Sequence, residues 1–201
     1  MEKLLKPFSY LFHPLFIPLF GTLFYIVFSD NYLVQTKSYV LLFQIVIITI
    51  LLPLLFFYLL KTFGKVDSIM ISDMNQRKIP LMLNISLLAV LVMRGIRSEM
   101  FPELHYYLLG GLLSSGLAFV LLFFKTKASI HMLGIGALTF FVIGLAIATD
   151  YDLHYTIATL FVITGFVASS RLAMKAHSLY ELFFGYIIGI VPQIILYKYW
   201  L

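Results

Sequence analysis

Long apolar runs separated by short polar segments set the pattern of this chain. The runs are Phe8–Phe28, Tyr39–Leu60, Pro80–Met93, Leu104–Phe124, Ser129–Ala148, Leu153–Ala168 and Leu179–Tyr197. A helix needs about 20 apolar residues to cross ~30 Å of hydrocarbon, and most of these runs approach that length. The pattern predicts an all-α fold: a transmembrane helical bundle of six or seven spans, forming one domain over residues 1–201. The third run is the short one. Pro80–Met93 reaches only about 21 Å at ~1.5 Å per residue, and completes a crossing if the helix continues past Arg94 and Arg97 with their side chains snorkelling outward. The choice between six and seven spans therefore rests mainly there. The first run carries Pro14 and Pro18, which predict a break or kink. It is longer than a signal-peptide core of about 7–15 residues and lacks a small-x-small cleavage site, so it reads as a retained span.

The connectors are short, and no internal repeat is present. The longest, Lys61–Ile79, is rich in Asp, Ser, Asn, Lys and Arg. Two crossings separate Lys125–Lys127 from Ser169–His177, so these two segments share a membrane face. If Pro80–Phe124 supplies two crossings as well, Lys61–Ile79 lies on that face too. Three polar segments then meet at one end of the bundle.

Composition narrows the classes. Hydrophobic residues make up 62% of the chain and charged residues 11%, against about 45–50% and about 25% in soluble domains. A water-soluble fold is excluded, and the bilayer is the expected partner. The absence of cysteine rules out disulfides and thiolate metal sites. The net charge of +5 comes from basic residues standing singly or in pairs between apolar spans, which suits lipid headgroups and argues against nucleic acid.

Three segments carry chemistry. In Ser169-Ser170-Arg171 through Lys175-Ala176-His177-Ser178 to Glu181, a helix beginning near His177 puts Glu181 one turn along on the same face. A carboxylate there holds the imidazole in one tautomer and leaves the other ring nitrogen as a nucleophile. Arg171 offers a planar fork for phosphate oxygens. In Lys125-Thr126-Lys127-Ala128-Ser129-Ile130-His131, Lys127 and Ser129 are donors for an anion at a helix start, and His131 is a candidate general acid. In Asp73 to Pro80, Arg77 and Lys78 stand before a helix whose first turn tolerates Pro80. Lys61, Lys65, Lys125, Lys175, Arg94 and Arg97 read as lipid anchors or orientation signals. His13 reads as bonded to backbone or a headgroup. His105, His154, Asp150 and Asp152 fall near the opposite face. Tyr197, Tyr199 and Trp200 form an interface belt.

These segments resemble the signatures of the phosphatidic acid phosphatase type 2 superfamily. Ser170-Arg171, five residues, His177, three residues, Glu181 is similar to its third signature, SR-x5-H-x3-D. Ser129-Ile130-His131 resembles the second, PSGH, and Arg77-Lys78-Ile79-Pro80 the end of the first, K-x6-RP. The resemblance implies an integral membrane phosphatase that needs no metal or other cofactor. His177 would attack phosphorus and form a phosphohistidine, with Glu181 orienting it. His131 would protonate the leaving oxygen and then activate water. Arg171, Arg77, Lys127, Lys78 and Ser129 would hold the phosphoryl oxygens. The implied substrate is a lipid phosphate or diphosphate such as phosphatidate, phosphatidylglycerophosphate or an isoprenyl diphosphate, and the implied location a bacterial inner membrane. Glu181 stands where the signature has Asp, Ala128 and Ile130 where it has Pro and Gly, and Met70 where it has Lys. These departures keep a second class open, a catalytically inactive relative that binds or moves an anionic lipid. A transporter ranks last, since paired Gly/Pro interruptions in corresponding halves are not seen. Counting basic residues places the site face in the cytoplasm, and the resemblance points to the outer face. Both stay open, with the outer face preferred.

Overall fold

A computed structural model describes residues 2–66 and 74–201. Asp73 and Met70 lie outside the described residues. Among the described residues the chain is helical, with eight helices and no strand. We number them α1 (Glu2–Leu11), α2 (Ile17–Phe28), α3 (Tyr32–Val46, continuing through Ile47–Leu51 and Leu52–Thr62), α4 (Met74–Val90, closing with Leu91–Gly95), α5 (Pro102–Phe123), α6 (Ile130–Ala148), α7 (His154–Ala173) and α8 (Leu179–Tyr197). The helices α3 to α8 are long and apolar enough to cross a membrane, so this is a multi-pass membrane protein with six such helices.

The sixth-or-seventh question resolves at a different place from the one expected. The short third run is a full-length helix, a span of 20 residues from Gln76 to Gly95. It gains its length at the front, so Pro80 sits inside the helix rather than in its first turn, and Arg97 falls beyond the end. A widened last turn, closed by Ile96 N–H donating to Leu91 O at 2.8 Å, stops it at Gly95. The first run is the one that falls short. It divides into α1 and α2 around Pro14, and α2 has only 12 residues, about 18 Å of helix. Proline also explains the wide turn at Ile47–Leu51 in α3, which ends two residues before Pro53. A residue with no N–H and a ring that clashes with the preceding turn is accommodated where the helix opens.

The centre is α6, 72% buried across its apolar window against 44% or less in the other spans. Its tightest partner is α8. A side chain at Gly185 would come within 2.5 Å of the Ser129 carbonyl oxygen, and one at Gly189 would fall on the carbonyl of Leu133. Small residues four apart let two backbones touch, which is how helices gain packing energy when lipid offers no hydrophobic contrast. Further along, the Tyr197 hydroxyl donates to Phe140 O. Toward α5, Ser114 Oγ donates to Ile188 O at 2.9 Å and Gln193 Nε2 to Tyr107 O at 3.0 Å. Large apolar side chains such as Phe43, Met93, Val162 and Phe183 point outward, where a bilayer covers them.

This packing predicts that Gly189→Leu destabilises the protein by at least about 1–3 kcal/mol, the cost of overpacking. Gly165→Ala, whose new methyl meets nothing within 4 Å, leaves stability unchanged or slightly raised. Thermal unfolding in detergent compares the two.

Candidate active site at one end of the bundle

The loops at this end share a local design. The helices α3, α5 and α7 each end in the same paired hydrogen bonds. Lys65 N–H reaches Leu60 O, Thr126 N–H reaches Leu121 O and Ala176 N–H reaches Arg171 O, at 2.9, 3.0 and 3.1 Å. The residue before each closing donor is left-handed: Gly64, Lys125 and Lys175, with φ of 65°, 55° and 51°. This is the Schellman ending. It reverses the chain sharply, so Lys127 and His177 occupy equivalent positions two residues past the left-handed lysines. Lys127 Nζ then donates to Ala176 O at 2.8 Å, and Ser129 N–H to Glu181 O at 3.1 Å. These two bonds join the α5–α6 loop to the start of α8.

Glu181 has two duties. Helix α8 begins with a capping box, in which Glu181 N–H donates to Ser178 Oγ at 3.3 Å and Ser178 N–H to Glu181 Oε2 at 3.1 Å. The same Oε2 accepts from His177 Nδ1 at 2.9 Å. A carboxylate accepts only, so Nδ1 carries the proton and Nε2 carries the lone pair. The capping box also accounts for a Glu where the resembled signature has Asp: at the third helical position the longer side chain reaches back to the cap. The Ser178-x-x-Glu181 spacing was visible in sequence and is the signal that reading for chemistry alone passes over.

Arg77, His131, Arg171 and His177, all buried, line one cavity of about 160 Å³. Most of its remaining lining is apolar, including Phe56, Phe57 and Leu81, with His13 and Asn84 also in the wall. His131 Nε2 lies 3.1 Å from Ser9 O and therefore donates to it, which leaves Nδ1 as the ring's acceptor. Burial holds the His177 imidazole down to about 3 from its ordinary 6.5, and the cations Arg77, Lys127 and Arg171 push in the same direction. The ring is thus neutral at physiological pH. Burial and Arg77 likewise lower the Lys127 ammonium.

Not every expected phosphate ligand gathers here. Lys78 Nζ lies 5.6 Å over the Phe123 ring and does not line the cavity. Lys127 is near enough to act electrostatically on His177 but is outside the lining. Ser129 is fully buried behind α8, and its Oγ has no hydrogen-bond partner among the described residues. His13 was read as bonded to backbone or a headgroup. It does accept Leu15 N–H at Nδ1, at 3.4 Å. However, the break at Pro14 also carries it into the cavity wall, with its ring edge-on to His131 at 5.3 Å. No spacing rule in the sequence linked positions 13 and 131. At the opposite end, His105 Nδ1 donates to Ile96 O at 2.6 Å and His154 pairs with Asp152. No family model, curated protein or solved structure matches this chain.

The neutral imidazole generates a signed prediction. Unfolded, His177 takes up a proton as pH falls through about 6.5; folded, it resists until about 3. Stability therefore falls as pH drops from 6.5 toward 3. Arg77→Gln raises the His177 titration point toward 6.5 by removing one of the cations. Histidine-selective NMR across pH 3–7 in detergent reads both values.

Proposed function

We propose that this protein is a metal-independent phosphatase of lipid phosphates or diphosphates, working through a phosphohistidine at His177. The observation that carries the reading is the His177–Glu181 bond. It fixes the proton on Nδ1 and presents Nε2 as a neutral nucleophile in a cavity that also holds two arginines. Nε2 attacks phosphorus, the bond to the leaving oxygen breaks, and Glu181 stabilises the cationic ring that results. Arg77 and Arg171 offset the charge developing on the phosphoryl oxygens. His131, held at Nε2 by Ser9 O, exchanges protons through Nδ1. As imidazolium it protonates the leaving oxygen; as the neutral ring it takes a proton from the water that then cleaves the N–P bond. The apolar walls beside the cations suit an amphiphile, its phosphate at the bundle end and its carbon chain toward the lipid.

One observation favours a second reading. Ile130 stands where the resembled signature has Gly, and it forms part of the cavity wall. A bulkier wall would suit a protein that binds an anionic lipid without turning it over.

Phosphate release from phosphatidate, phosphatidylglycerophosphate and an isoprenyl diphosphate in detergent separates the two. The phosphatase reading expects release that falls at least about a thousandfold in His177→Ala, with acid-labile label trapped on the wild-type protein during turnover. Equal release by both proteins sinks it. Lipid binding that requires Arg171 but yields no phosphate supports the binding protein instead.

A further inference from the structure

The cationic cavity has a neighbour within the bundle. A second, smaller cavity of about 60 Å³ shares the wall residues Pro14, Asn84 and Ile130 with it. This inner chamber runs between α2, α3, α4, α5 and α6, and none of its lining residues is charged or a histidine. Two of its polar side chains are satisfied by backbone carbonyls: Thr49 Oγ1 donates to Ile45 O at 2.9 Å and the Tyr107 hydroxyl to Ile17 O at 2.9 Å. What these two residues leave toward the chamber is largely carbon, and the other polar side chains in its wall, Asn84 and Ser115, are uncharged.

Small residues keep the chamber open. Gly111, Gly134 and Ala137 are in its wall. A side chain at Gly134 would touch Ile17 at 3.0 Å, so that glycine is also needed for packing. Gly111 differs. A methyl built there meets nothing within 4 Å, so no neighbouring side chain requires a glycine at this position.

We propose that the inner chamber is a slot for a single hydrocarbon tail of the substrate, reached through the cavity where the phosphate meets Arg77, Arg171 and His177. The proposal rests on the phosphatase reading for the nature of the headgroup. Its own support is the adjacency of the two cavities: a compartment walled by buried cations and an uncharged one beside it share Pro14, Asn84 and Ile130, which suits the head and the tail of one amphiphile. The smaller volume, about 60 Å³ against about 160 Å³, suits one chain rather than two. A tail already dissolved in lipid gains no hydrophobic energy by entering the slot. The slot therefore acts through position and length. A seated tail fixes the phosphorus against Nε2, and the size of the chamber discriminates between chains by steric fit.

Gly111→Phe fills the slot, and Gly111→Ala barely narrows it. Phosphate release is measured for single-chain alkyl phosphates of about 4 and about 16 carbons. A slot predicts that Gly111→Phe loses roughly tenfold or more in kcat/KM for the long chain relative to the short one, while Gly111→Ala behaves as wild type. An unchanged ratio in a folded Gly111→Phe protein overturns the proposal. A second measurement is independent of turnover and of the variant's folding: a long-chain alkyl phosphonate with a photoreactive group at the chain end is cross-linked to the wild-type protein. Labelling of Tyr107, Leu108 or Ala137 places the tail in the slot even if no phosphate is ever released, in which case only the phosphatase reading fails. Labelling confined to outward residues such as Phe43 or Met93 overturns the slot.

Discussion

The site depends on one close contact, the α6–α8 crossing at which Gly185 and Gly189 lie against the backbone of Ser129 and Leu133. In a bilayer the helices gain little from hiding apolar surface from one another, so backbone proximity and interhelical hydrogen bonds must supply the association. This crossing supplies both, because the same approach lets Ser129 N–H reach Glu181 O. His131 lies two residues beyond Ser129 and His177 four before Glu181. Fixing the crossing therefore fixes both imidazoles at one cavity. The chemistry is set by helix packing before any side chain chooses a rotamer.

Among the described residues, Arg77, Lys127 and Arg171 act on His177, and the carboxylate Glu181 is shared between His177 and the cap of α8. Keeping such groups at the edge of an apolar bundle is costly. In the proposed reaction the phosphoryl group brings negative charge to these cations and so favours the positive ring that forms when Nε2 takes phosphorus. Burial keeps the ring neutral beforehand and the cations act in the same direction, so on that reading the same cations serve both stages.

How much of this was legible depends on the range of the interaction. The spans were readable because each is a local run of apolar residues, and the shared face of the three polar segments followed from counting crossings. Boundaries were less readable. Pro80 suggested a helix start, yet the helix begins at Met74, because an apolar bundle tolerates a proline kink that propensity alone would forbid. The Glu181 capping box was written in four consecutive residues and was still passed over. His13 was out of reach altogether: its place beside His131 comes from the break at Pro14 and the packing of α1 on α7, where Ser9 Oγ and Ser170 Oγ lie 2.6 Å apart. Nothing in a single sequence encodes a meeting of residues 118 positions apart.

The left-handed lysines bring local strain and function into one argument. Three helices end in the same turn, and Gly64 shows the residue that such a turn favours. Lys125 and Lys175 adopt it with a side chain attached, at about 1 kcal/mol or more each. Both are exposed at the membrane face that carries the site. Glycine would relieve the strain and keep the chain reversal, so the reversal alone does not account for lysine. Charge does: a cation at that height anchors the helix end at the interface. On the proposed function the same two lysines would also draw an anionic headgroup toward the cavity mouth, so one charge would serve both the anchoring of the helix and the supply of the site.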